Sequence, residues 1–86
     1  MLSGTDGARL LAYCRSSNQA DQGFCYGYII GVVDQLALQG AICVPAQFDQ
    51  VIALARGHLE ASGADIKKHA TYLVGRVLKA TYPCRR

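Results

Sequence analysis

Apolar residues return every three or four positions in four separate stretches of this chain, the spacing that gathers them on one face of a helix. In the first stretch Leu10, Leu11 and Cys14 share a face, Thr5 or Asp6 caps the start, and Ser16, Ser17 and Asn18 end it. The second runs from Ala20 or Asp21 to Leu38, with Phe24, Cys25, Tyr28, Val32 and Leu36 at helical intervals and Gly40 beyond its end. It is apolar over most of its circumference, which predicts a place at the centre of a bundle. Gly27 and Gly31, one turn apart, predict a close approach by a neighbouring backbone, since each costs about 1 kcal/mol of helix propensity. The third stretch, Gln47 to Ser62, carries Phe48, Val51, Ile52, Ala55 and Leu59, and Gly63 marks its end. After a loop from Gly63 to Asp65, with Asp65 as the expected cap, the fourth carries Ala70, Leu73, Val74, Val77, Leu78 and Tyr82 on one stripe before Pro83 stops it. Between the second and third, Ala41 to Ala46 reads as a connection, because Pro45 disfavours helical geometry at Val44. The pattern predicts an all-α fold, a compact bundle of four helices in a single domain spanning residues 1–86.

At 86 residues the core is small, and chains of this size often recruit disulfides, metals or a partner subunit. Four cysteines are present, and they admit three pairings. Short connections make sequential helices antiparallel neighbours, and position along those helices favours one arrangement. Cys14, at the end of helix 1, meets Cys25 in the first turns of helix 2; Cys43, before helix 3, meets Cys84, after helix 4. By the chain-entropy model the two bridges stabilise by about 3 and about 4 kcal/mol, so the longer loop is expected to matter more. Paired cysteines point to an oxidising compartment. Met1 to Asp6 lacks the apolar stretch of a signal peptide, so an exported protein is expected in trimmed form. The longest nearly apolar run, Phe24 to Val33, lies between Asp21 and Asp34 and is far short of the roughly 20 residues of a membrane span.

Charge and chemistry change this picture little. The formal charge of +3 comes from scattered residues plus the pair Lys67 and Lys68 and the tail Arg85 and Arg86, without the aromatic-interleaved basic run of a nucleic-acid surface. No C-x-x-C pair exists, and His58 and His69 lack metal-ligand spacing, so neither a metal nor a cofactor is expected. Asp34 interrupts helix 2 and reads as a solvent-facing or hydrogen-bonded acid rather than a catalytic one. His58 and His69 read as polar-face residues. Tyr28 and Tyr82 follow core spacing, whereas Tyr26 and Tyr72 suit an exposed binding face. No catalytic residue is assigned, and the chain is not expected to be an enzyme.

Several blocks together carry a family resemblance: Leu10-Leu11 with Cys14; Phe24-Cys25, Gly27-Tyr28-Ile29, Gly31-Val32 and Asp34; Cys43-Val44-Pro45; Leu73-Val74; and Tyr82-Pro83-Cys84. In this order they resemble the Rap/Tai family of type VI secretion amidase-immunity proteins over nearly the whole chain. The resemblance implies a periplasmic helical protein that binds a cognate cell-wall amidase and blocks its cleft. The exposed connection Ser62, Gly63, Ala64, Asp65, Ile66, Lys67 and Lys68 is the expected contact, because a loop between helices can enter a groove. Gly27 and Gly31 offer a homodimer interface as an alternative to internal packing. A periplasmic stress chaperone, or another helical binding protein, is the competing reading. The small number of acidic residues, six, argues against a strong acid trigger for such a chaperone.

Overall fold

The computed structural model describes residues 4–43 and 47–84, so Val44, Pro45 and the terminal arginines lie outside the described residues. The helices are α1 (Gly7–Arg15), α2 (Gln19–Leu38), α3 (Phe48–Glu60) and α4 (Ala70–Thr81), with a short 3-10 helix, Gly63–Lys67, between the last two. Among the described residues there is no strand, only an isolated bridge between Asp6 and His69.

Local chemistry sets the helix boundaries. Asp6 caps α1, its Oδ1 accepting from the Arg9 amide at 2.8 Å. Asn18 caps α2 by accepting from the amides of Ala20 and Asp21, so the residue expected to end one helix also begins the next. Gly40, with φ +76°, closes α2 in left-handed geometry while the Ala41 amide reaches back to the Leu36 carbonyl at 2.9 Å. The expected third helix is too long by one residue at its start and two at its end. Ser62 lies past its end, and its hydroxyl donates to the His58 carbonyl at 2.7 Å. The expected cap of helix 4 is also corrected. The chain winds Gly63–Lys67 into the 3-10 helix, and His69 caps α4 instead, its Nδ1 accepting from the Thr71 amide at 3.3 Å.

The core gathers the stripe residues of all four helices. Leu10, Ile29, Val51, Leu73, Val74 and Leu78 are fully enclosed, and Ile42 reaches in from the connection after α2. Helix α2 touches α1, α3 and α4, as its hydrophobicity predicts, yet one flank faces solvent. Phe24, expected in the core, is 42 % exposed. It lies instead between Tyr13 and Tyr28, with ring centroids 4.5 and 5.8 Å away. Gly27 and Gly31 are exposed, and a Cβ added at either would meet nothing within 4 Å. The close approach expected there is absent. Gly75 of α4 is buried against α2, where an added Cβ would lie 3.7 Å from Leu36, an ordinary contact distance.

Both disulfides are those expected. Cys14–Cys25 joins α1 to α2 with Cα atoms 5.0 Å apart, and Cys43–Cys84 joins the connection after α2 to the end of α4 with Cα atoms 4.9 Å apart. The first is buried; the second lies nearer the surface, where the Cys43 amide also donates to the Tyr82 carbonyl at 2.8 Å.

Candidate functional site

The segment Ser62–Lys68 is a structured turn rather than a slack loop. The Asp65 amide donates to the Ser62 carbonyl at 3.1 Å and the Lys68 amide to the Asp65 carbonyl at 2.9 Å. Ile66 packs part-buried against the core and anchors the turn, while Gly63, Ala64, Lys67 and Lys68 are exposed. The turn is also tied to the start of the chain. Gly7 donates its amide to the Lys68 carbonyl at 2.9 Å, and the Ala70 amide donates to the Thr5 carbonyl at 2.8 Å.

Asp65 joins the turn to α4, lying 3.5 Å from Lys68 Nζ and 3.9 Å from Arg76. These are exposed pairs, worth little individually. The same two cations flank the ring of Tyr72: Lys68 Nζ is 5.6 Å and the Arg76 guanidinium 6.0 Å from its centroid. Tyr72 is 51 % exposed and Tyr26 53 %, in keeping with the expectation that both reach the surface.

Beside the turn, α2 and α4 form an open groove of about 430 Å³, lined by Val32 and Leu36 of α2 and by Tyr72, Gly75, Arg76 and Lys79 of α4. The sequence reading missed this groove. Its one local signal is Gly75 in the middle of an amphipathic helix, a position that costs about 1 kcal/mol relative to alanine without some compensating role. The Tyr28 hydroxyl and Thr71 Oγ1, 2.8 Å apart, connect the two helices at its edge.

The residues weighed for chemistry do not assemble into a reactive centre. Asp34 is exposed. His69 is occupied as a helix cap, while the Nε2 of His58 is buried without a hydrogen-bond partner among the described residues, so His58 is less a polar-face residue than expected. No group of three or more His, Cys, Asp or Glu side chains among the described residues converges as metal ligands, and none of the described helices is long and apolar enough to cross a membrane.

A helical scaffold with two disulfide staples, a braced turn and an adjoining apolar groove has the form of a protein that acts through its surface. The model of the Rap1a immunity proteins matches the chain over residues 6–84, and the chain belongs to that family. No curated protein and no solved structure matches it. Membership gives an immunity-type function directed at an effector protein, in a family that is generally non-catalytic. The disulfides and the family are together consistent with an extracytoplasmic protein.

Proposed function

We propose that this protein is a periplasmic, non-enzymatic immunity protein that binds and inhibits a cognate cell-wall amidase delivered by a type VI secretion system, with Ser62–Lys68 as a contact. The family match over residues 6–84 carries the immunity part of this reading. The two disulfides support the compartment, and the braced Ser62–Lys68 turn supports the contact. A segment already held by its own hydrogen bonds and by Gly7 loses little conformational freedom when it enters a cleft, so more of its contact energy remains as affinity. Exposed Lys67 and Lys68 give it a positive tip suited to an acidic rim. Neither nucleic acid nor a cofactor enters this reading.

The test is a titration against the peptidoglycan hydrolysis activity of the product of the adjacent gene. Complete inhibition near one equivalent is expected, whereas unaltered hydrolysis with no complex on size-exclusion chromatography removes the reading. Lys67→Glu with Lys68→Glu is expected to weaken inhibition about tenfold or more by reversing the sign of the tip. Full potency in that variant would move the contact away from the turn. A homodimer belongs to the same reading, because the exposed Gly27 and Gly31 face leaves room for a second helix. Sedimentation velocity at rising concentration should show the dimer, and a monomer throughout would exclude it.

A further inference from the structure

The groove between α2 and α4 is continuous with the proposed contact turn, since Asp65 and Lys68 of that turn reach Arg76 and Tyr72 at its lip. Its floor is apolar, formed by Val32, Leu36 and the bare backbone of Gly75. Its charge is one-sided. Arg76 and Lys79 stand on the α4 wall with Lys68 beside Tyr72, and Asp65 offsets part of this, while Asp34 of α2 is not among the lining residues. The Tyr28–Thr71 hydrogen bond links the two helices at its edge, and the flanking cations lie over the Tyr72 ring.

An apolar floor beneath a cationic lip selects an apolar side chain with carboxylates next to it. We infer that this groove docks an acidic segment of the effector, one apolar side chain lying over Gly75 and neighbouring carboxylates pairing with Arg76 and Lys79. This inference rests on the immunity reading and extends the contact from the turn onto α4. Guanidinium and ammonium groups both donate charge-assisted hydrogen bonds to such carboxylates. The exposed half of the Tyr72 ring supplies the aromatic edge of the contact, a residue type favoured at binding surfaces.

The experiment is isothermal titration of the purified adjacent-gene product with four forms of this protein: unmodified, Arg76→Glu with Lys79→Glu, Tyr72→Ala, and Arg56→Glu as a single charge-reversal control on α3. All the substituted side chains are exposed, and circular dichroism checks that each variant keeps its helices. The expected result is tight binding by the unmodified protein and the control, about a hundredfold weaker binding by the double reversal, and about tenfold weaker binding by Tyr72→Ala. Affinity of the unmodified protein should also fall with added salt. Groove variants that bind within threefold of the unmodified protein overturn the groove while leaving the immunity reading intact. So does an equal loss in the Arg56→Glu control, which would show a response to overall charge. No binding by the unmodified protein removes both. If the double reversal fails to fold, Tyr72→Ala decides by itself.

Discussion

Replacing Cys14 and Cys25 together by alanine is expected to lower the unfolding free energy by about 5 kcal/mol, more than the same replacement of Cys43 and Cys84. Loop length alone argues the reverse, about 3 against about 4 kcal/mol. Burial changes the order. Cys14 and Cys25 are 6 % and 1 % exposed and sit within the core cluster, so their loss also removes two packed sulfur atoms, each worth on the order of 1 kcal/mol in transfer and cavity terms. Cys43 is exposed and Cys84 half-buried, so the outer bridge contributes mainly through the unfolded chain, about 4 kcal/mol. Domains commonly have only about 5–15 kcal/mol of stability, so the inner double variant should be close to unfolding at ordinary temperature. Urea denaturation of both double variants gives the comparison directly. A larger loss for the Cys43 and Cys84 variant would mean that chain entropy outweighs packing here.

The same contrast shows what was legible from sequence. Both cysteine pairings followed from where each residue falls relative to the helix ends, and the stripes on α1, α3 and α4 placed Leu10, Val51, Leu59, Leu73 and Leu78 correctly in the core. On α2 the pattern carries less information. A helix apolar nearly all round has no preferred face, so periodicity put Phe24 inside, although its ring finds partners in Tyr13 and Tyr28 at the edge. The glycines failed for a related reason. Gly27 and Gly31 have the spacing of a close helix contact, but spacing does not say which side of α2 is covered, and theirs is open.

The candidate site was legible only as a position between two helices. Its bracing was not, because the Asp6–His69 bridge and the Tyr28–Thr71 hydrogen bond join residues far apart in sequence. The 3-10 helix Gly63–Lys67 is too short to show a period. The groove depends on a missing side chain at Gly75 and on Lys68 and Arg76 converging around Tyr72, both outcomes of tertiary packing. What could be read locally was therefore the scaffold, and what required the fold was the surface presented by it.

Gly7→Ala tests the link between scaffold and surface, with an expected stability loss of about 2 kcal/mol, in the range for inserting a carbon into a filled site. An alanine Cβ would lie 2.7 Å from the carbonyl oxygen of Ile66 and 2.5 Å from Leu73 Cδ1. A side chain can rotate away, but the Ile66 carbonyl is backbone within the 3-10 helix, so relief requires moving the turn. That movement also strains the hydrogen bond that the Gly7 amide donates to the Lys68 carbonyl, 2.9 Å in the unaltered protein. Thermal denaturation should register the loss, and amide hydrogen exchange should show faster exchange at Asp65 and Lys68, whose amides close the turn. Effector inhibition should weaken in parallel if Ser62–Lys68 is the contact, even though Gly7 itself is buried and touches no partner. Unchanged exchange in the turn, together with unchanged stability, would show that the start of α1 moves instead and that the turn holds its shape without this brace.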